Sequence, residues 1–445
     1  MMHSGAPPPG WSAAASSEFV FVGRSWSAQD GTLQLDYRLD GCPLSEQFRF
    51  PLPARPRQCA DGAFEAALDL LHWVAGISYW KAGCPSRIDF IASRPDRRQA
   101  DSLNRLYREG LGEFAWVNGL DCDRFEVFGA GPAVAPAAET AGLAGGYLVP
   151  MGGGKDSVVA WSRLARQGLE PFTAQIGEAR LIADVAARTA MPHLVVGRRL
   201  DPALARFNAA GAWNGHVPVT AINASALVIL ALLHGFRHVV FANERSAEEA
   251  TLIDARGRGV NHQFAKTLAF ERMLDDWVRT WIARDLAVFS LLRRDRELAV
   301  CREFAGLTRF HDVFSSCNRN FHLDGPRTAR WCGQCPKCHF VFLGLAPFMR
   351  VEALSAIFGA DLLADTEQLD GFRALLALDG RKPFECVGEA VEARAAIRAL
   401  ATQPAWREHA TVRTLADALT GHAVPELQSL CRPGGPHLIP GQLLA

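Results

Sequence analysis

The chain has 445 residues, room for two or three domains around a substantial core, and its 47 Lys and Arg balance 47 Asp and Glu. A net charge of zero argues against a broad tRNA- or DNA-binding surface, which shows as a basic excess. Residues 1–17 carry Pro7, Pro8 and Pro9 but no basic segment followed by an apolar core, so they read as a disordered tail and not a signal peptide. The apolar run 224–233 is closed by His234 and Arg237, far short of a membrane span. We expect a cytoplasmic protein with no membrane or nucleic-acid partner, whose eleven cysteines are thiols or metal ligands before they are disulfides.

Residues 18–23, 33–37 and 46–50 alternate or cluster like strands, with a turn at Gln29-Asp30-Gly31. Helical spacing comes next over 63–78, then a further strand over 87–91 and a polar amphipathic helix over 97–112. Residues 18–130 are thus expected to form a small α+β domain without a cofactor motif. An Ala-, Gly- and Pro-rich linker, 131–145, separates it from the next domain.

From residue 146 strand and helix alternate: strand 147–151, helix to 167, strand 171–176, helix 179–189, strand 193–196, helix 221–235 and strand 236–242. Strands separated by helices pair in parallel through right-handed crossovers, giving a doubly wound α/β sheet over 146–350. Ligands sit at the carboxyl ends of such strands. Those places carry Gly152 to Ser157, Arg198 and Arg199, and Asn243-Glu244-Arg245, while Asn214-Gly215-His216 precedes the long helix.

The loop after the first of these strands carries the strongest signal. Gly152, Gly153 and Gly154 deliver the chain onto a helix N-terminus, where free N–H groups and the helix dipole receive a phosphate. A nucleoside-triphosphatase P-loop requires a hydroxyl directly after its lysine, whereas Asp156 follows Lys155 here and Ser157 comes one place later. Further on, Asn261 to Lys266 heads an amphipathic helix to about residue 284, with His262 and Lys266 near the site. Residues 297–310 carry no assignable chemistry.

Cys317, fifteen positions upstream, joins Cys332, Cys335 and Cys338, whose two-residue spacings suit a knuckle that turns successive sulfurs toward one ion. Four thiolates select structural zinc, with an iron–sulfur cluster or unconnected cysteines as the other readings. The loop between them offers Arg319, Asn320, His322 and Asp324 to the site. The remaining residues, 351–445, are helical, over 351–364, 367–378, 389–401 and 406–420. One compact turn, 382–388, places Glu385 and Cys386 before a helix N-terminus, where a thiol's pKa can fall.

The run Gly152 to Ser157 resembles the PP-loop of ATP pyrophosphatases, with Gly152 where most of that superfamily has serine. The pairing of this loop with the cysteine pattern is similar to the zinc-containing 7-cyano-7-deazaguanine synthases. The ensemble resembles another PP-loop family more closely, the UDP-N-acetylmuramoyl-L-alanyl-L-glutamate epimerases. It comprises residues 214–218, 243–247, 316–321, 331–338 with 340–348, and 382–388.

That resemblance, which covers residues 19 to about 427, implies a HUP-like sheet. It also implies ATP- and magnesium-dependent inversion of the terminal L-glutamate of UDP-MurNAc-L-Ala-L-Glu through an acyl-adenylate, with release of AMP and diphosphate. Under it, Gly152, Gly153, Gly154 and Ser157 hold the β- and γ-phosphates, Lys155 neutralises them and Asp156 positions magnesium. His216, Glu244, His262, His322 and Cys386 are the candidates for proton transfer. Arg198, Asn214, Asn243, Arg245, Arg319 and Asn320 are candidates for substrate binding. A PP-loop ligase or synthase that traps the adenylate with ammonia, a tRNA-modifying enzyme and a non-enzymatic zinc-stabilised module remain the alternatives.

Overall fold

The computed structural model describes residues 7–54, 61–321 and 329–444. Its frame is a nine-stranded sheet. In chain order the strands are β1 (Glu18–Ser27), β2 (Thr32–Leu39), β3 (Cys42–Arg49), β4 (Arg87–Phe90), β5 (Tyr147–Pro150), β6 (Phe172–Ile176), β7 (His193–Arg199), β8 (His238–Phe241) and β9 (Ala287–Ser290). The spatial order is β9-β8-β5-β6-β7-β3-β2-β1-β4. The half from β9 to β7 is parallel throughout. β3 then joins β7 antiparallel, Gln47 opposite Arg199, and β2 and β1 continue as an antiparallel meander with β4 parallel to β1 at the edge. The segment 18–130, which reads as a unit of its own in the sequence, therefore extends the same sheet by hydrogen bonding.

The helices that cover the sheet and position the site are α1 (Asp61–Ala75), α2 (Arg97–Gly110), α3 (Gly112–Asn118), α4 (Lys155–Arg166), α5 (Arg180–Ala187), α6 (Val219–His234), α7 (Leu268–Trp277), α8 (Glu297–Ala305), α9 (Pro336–Leu345) and α10 (Ala390–Leu400). Adjacent residues of the central strands feed opposite cores. Leu148, Val239 and Val288 pack on the side of α1 and α6, whereas Val149, Val240 and Phe289 pack with α4, α8, α9 and α10. Cβ atoms alternate across a strand, so a sheet covered on both faces needs apolar residues at every position. Burying each such side chain is worth about 1.5–3 kcal/mol. α6 is buried along almost its whole length, which explains its apolarity without a membrane. Among the described residues no helix is long and apolar enough to cross one.

Two departures from the expected elements bear on the site. Residues 131–145 form no regular element but are fastened down: the amides of Ala141 and Leu143 donate to the Asp285 carboxylate at 2.7 and 2.8 Å, and Ala138 and Leu143 are buried. The helix expected from residue 261 starts only at Leu268, where Thr267 caps it by accepting from the Phe270 amide at 3.3 Å. His262 and Lys266 consequently sit on a loop and one short turn, free of the helix's direction.

Candidate active site

β5 ends at Pro150, and Met151 and three glycines carry the chain to α4. Gly153 has φ +79, a conformation that L side chains rarely adopt, and a Cβ there would lie 2.4 Å from Leu181. A Cβ on Gly154 would meet the Ser316 hydroxyl at 2.5 Å. Gly154 stands at the N-cap without a side-chain capping bond, so the first N–H groups of α4 keep their capacity for an anion. Ser157 braces the turn, accepting from the Gly152 amide at 3.4 Å and donating to the Gly154 carbonyl at 3.3 Å.

These glycines open on a cavity of about 230 Å³. It is lined by Gly152, Gly154, Asp156 and Ser157, by the ends of β6 and β8, by Thr220 and Asn223 of α6, and by Lys266, Ser316 and Lys337. In the parallel half of the sheet β6 and β7 lie on one side of β5, and β8 and β9 on the other. The cavity lies where strand order reverses, the usual ligand position in such sheets. A larger groove of about 590 Å³ beside α1 shares none of these residues.

Lys155 is 2% exposed and does not line the cavity. Its Nζ lies 2.5 Å from Asp156 Oδ1 and also pairs with Glu297 at the start of α8. Burial opposes its charge, but the two carboxylates outweigh burial and hold the ammonium well above its ordinary pKa. Lys155 is thus the counter-ion of a carboxylate cluster, where the sequence suggests a hand on the phosphates.

Asp156, Glu244 and Glu297 bring carboxylate oxygens within 4.8 Å of one another. Burial first, and then repulsion from Asp156 and Glu244, push Glu297 up to about 8 against the pull of Lys155. Glu244 is raised by burial and by Asp156. Three carboxyl groups offering oxygens to one point suit a hard divalent cation such as magnesium, whose charge would favour their ionised forms. Glu392 of α10 fixes this cluster from behind: it accepts from Ser246 Oγ at 2.6 Å and from the Leu298 amide at 2.8 Å, while Ser246 Oγ accepts from the Glu297 amide at 3.1 Å.

A second cluster adjoins the first through Lys266. His216 comes from the loop before α6, His262 and Lys266 from the stretch before α7, Glu113 from α3 and Cys386 from the turn before α10. His262 Nδ1 is hydrogen-bonded to Glu113 Oε2, and His216 Nδ1 lies 3.6 Å from the same oxygen. The two imidazole centroids are 4.5 Å apart. Cys386 lies close enough to His262 and Lys266 for its charge to act on both.

This arrangement splits the histidines. Burial opposes the charge of His262, yet Cys386 and Glu113 raise it to about 9. Burial and the charge of His262 press His216 down to about 4. Burial would raise the Cys386 thiol, but Lys266, Lys337 and His262 carry it well below its usual value. Environments that drive neighbouring groups apart in this way mark a candidate acid–base site.

Other sequence candidates fall elsewhere. Arg198 donates to the buried Glu46 at 2.6 Å and lies over the Phe48 ring, tying β7 to β3. Arg245 turns toward the C-terminal region, where a Cβ on Gly434 would lie 3.2 Å from its guanidinium. Arg319 is exposed and bonded to Gln334 at 3.3 Å, while Asn320 holds its own loop through Ser315 at 2.9 Å. Asn214 accepts from Lys81 at 3.3 Å beside His216. Asn243 lines the cavity. His322 and Asp324 lie outside the described residues.

Cys317, Cys332, Cys335 and Cys338 converge, with sulfur separations of 4.0 Å (317 to 335), 3.7 Å (332 to 338) and 3.4 Å (335 to 338). A tetrahedron with metal–sulfur bonds of about 2.3 Å has edges of about 3.8 Å, so these sulfurs fit zinc, whereas a disulfide needs about 2.05 Å. The cluster is coupled to the cavity: the Ser315 amide donates to the Gly153 carbonyl at 2.9 Å, and Lys337 lies between two of the cysteines. Sequence reasoning misses Glu113, Glu297 and Lys337. Only Lys337 has a signal, its place inside the cysteine knuckle.

Residues 12–291 match the family described as MurL N-terminal domain, and residues 313–429 that described as MurL C-terminal domain. Curated relatives carry the name UDP-N-acetyl-alpha-D-muramoyl-L-alanyl-L-glutamate epimerase. The one from Xanthomonas oryzae pv. oryzae is 44% identical over 96% of this chain and 96% of its own. One from a Micromonospora strain is 41% identical over 95% and 96%. One from Salinispora tropica is 39% identical over 95% and 93%.

Proposed function

Since the chain belongs to the UDP-N-acetyl-alpha-D-muramoyl-L-alanyl-L-glutamate epimerase family, we propose that it inverts the terminal L-glutamate of UDP-MurNAc-L-Ala-L-Glu to D-glutamate at the expense of ATP. The reaction makes a precursor for peptidoglycan, and the substrate is a small nucleotide sugar. The observation that carries this reading is the continuity of a phosphate-type glycine cradle with a proton-transfer cluster, joined at Lys266.

The chemistry explains the need for ATP. A proton alpha to a carboxylate is held tightly because its removal leaves a dianionic enediolate. Transfer of AMP to the α-carboxylate removes one negative charge and makes the enolate accessible. In this reading the cavity is a PP-loop nucleotide site of HUP-like type, an assignment supported by the glycines and by the strand order of the parallel half.

The backbone of Gly152 to Gly154 and the N-terminus of α4 receive the β- and γ-phosphates, with Ser157 bracing the turn. Asp156, Glu244 and Glu297 would hold magnesium, which would neutralise phosphate charge during transfer. Lys155 keeps those carboxylates in place, and Lys266 and Lys337, which line the cavity, meet the α-phosphate and the glutamate carboxyl. Zinc on the four cysteines would tie Cys317, beside Ser316, to Cys335 and Cys338, on either side of Lys337. Residues 18–130 and 351–445 act as supports of the nucleotide domain, contributing Glu113 and Cys386 to the proton-transfer cluster.

Incubation of the protein with ATP, magnesium and UDP-MurNAc-L-Ala-L-Glu should release AMP only when the dipeptide substrate is present and should yield D-glutamate on hydrolysis of the product. Amide formation on adding ammonia, without inversion, would move the reading to a ligase. The absence of AMP from folded, zinc-containing protein would sink it.

A further inference from the structure

Three segments far apart in the chain bring ligating side chains to one point beside the phosphate cavity: Glu113 from α3, His216 from the loop before α6 and His262 from the loop before α7. Their ligand atoms all lie within 4.8 Å of one another. Both histidines present Nδ1 to the same carboxylate oxygen. His262 Nδ1 is hydrogen-bonded to Glu113 Oε2, and His216 Nδ1 stands 3.6 Å from it. The three side chains are only 15%, 20% and 14% exposed in chain order.

One proton does not serve both rings. The bond between Glu113 and His262 uses it, and the His216 ring makes no hydrogen bond among the described residues, although it lies against His262 with centroids 4.5 Å apart. An ion in place of that proton would engage all three groups. With metal–nitrogen and metal–oxygen bonds of about 2.0–2.2 Å, a tetrahedron has edges of about 3.3–3.6 Å, which is the separation His216 already keeps from Glu113.

The ligand-bearing segments are also fixed on one another. Asn118 of α3 donates to the Phe114 carbonyl at 2.8 Å and to the Asn214 carbonyl at 3.0 Å, clamping the His216 loop to the helix that carries Glu113. Gly215 has φ +143, and a Cβ there would lie 3.4 Å from the Phe114 ring, so the loop comes down on α3 where a side chain would crowd it. Beside His262, Asn261 donates to the Ala247 carbonyl at 2.9 Å and accepts from the Gln263 amide at 2.7 Å. Supporting bonds of this kind hold ligands in place before an ion arrives.

We infer that Glu113, His216 and His262 bind one divalent transition-metal ion, at a site separate from the four cysteines and from the carboxylate cluster. Two imidazoles and a carboxylate favour zinc or a neighbouring first-row metal over magnesium, whose ligands are oxygens. Three protein ligands leave the fourth position of a tetrahedron open, the pattern of an ion that acts on a further ligand. An ion here would leave Glu113 and His262 no shared proton to transfer, so in the epimerase reading their part in inversion would pass to whatever fills the open position. The site itself does not rest on that reading.

Cobalt(II) tests this on the full-length protein with excess magnesium present. Thiolates give cobalt intense sulfur-to-metal charge transfer, and histidine and carboxylate do not. The wild type should take up one ion with that absorption and a second without it. Glu113→Gln, His216→Ala and His262→Ala should each weaken the second ion at least about a hundredfold, while keeping the thiolate-bound ion, which shows that the variant has folded. A wild type whose cobalt is all thiolate-bound would overturn the inference, as would a second ion whose affinity in any of the three variants stays within about tenfold of the wild type. These counts read the site alone. A wild type that neither releases AMP nor forms D-glutamate would instead remove the epimerase reading and leave the metal site standing.

Discussion

Asp156→Asn is expected to lower substrate-dependent AMP release at least about a thousandfold, or about 4 kcal/mol of transition-state stabilisation, while the protein remains folded. Asp156 is the carboxylate of its cluster that is both partly exposed and on the cavity wall. Replacing it by an amide of the same shape removes the charge that draws a divalent cation against the phosphates, yet leaves Lys155 its buried partner Glu297. Epimerisation should fall in parallel, because an inactivated carboxylate does not release its α-proton. AMP release within tenfold of the wild type would remove Asp156 from the nucleotide site.

The second large effect is on stability. Lys155→Met leaves Asp156, Glu244 and Glu297 facing one another without the ammonium that sits between two of them. Removing one partner from a buried ion pair costs about 3–5 kcal/mol, a large part of the 5–15 kcal/mol that holds an ordinary domain together. The pH dependence carries the signature.

Glu297 is already raised to about 8 from an ordinary 4.5. A carboxyl raised by folding contributes stability that is complete below its unfolded value and is lost as pH climbs through its folded value. Without Lys155 that loss deepens. Urea denaturation should therefore show a deficit that is larger near pH 9, where the wild type ionises Glu297 beside Lys155, than near pH 6, where that carboxyl is protonated with or without the lysine, and that magnesium narrows. An equal deficit at both pH values would mean that Lys155 supports packing and not charge.

The parts of this site that are legible in the sequence are those whose chemistry is written in adjacent residues. Three glycines followed by Lys-Asp-Ser, and Cys332 to Cys338 at two-residue spacing, carry their geometry in the chain itself. The alternation of strands and helices likewise exposes the parallel half of the sheet and the loops at its carboxyl ends.

What is not legible comes from pairs brought together by tertiary structure. Glu297 meets Lys155 from 142 positions away, and Glu113 meets His262 from 149. No periodicity marks either carboxylate as different from a surface residue. Arg198 fails for a related reason. An arginine near the end of a parallel strand looks like a ligand-binding residue, but β3 adds antiparallel to β7 there and supplies Glu46 as its partner. Pairing of β3 with β7 is a choice between distant segments, and local propensity does not encode it. His262 and Lys266 are visible as polar residues at a helix start, and their freedom to reach Glu113 and the cavity depends on the helix beginning six residues after His262.

Formation of an acyl-adenylate in the cavity before inversion is the step on which the proposed chemistry depends. It is tested most directly with UDP-MurNAc-L-Ala-L-Glu carrying ¹⁸O in both oxygens of the glutamate α-carboxylate. Attack of a carboxylate oxygen on the α-phosphorus of ATP, followed by attack of water on the acyl carbon, leaves one substrate oxygen on the nucleotide. Mass spectrometry should find AMP that carries one ¹⁸O in each turnover that yields D-glutamate. D-glutamate formed with unlabelled AMP would contradict adenylation and detach the glycine cradle from the inversion.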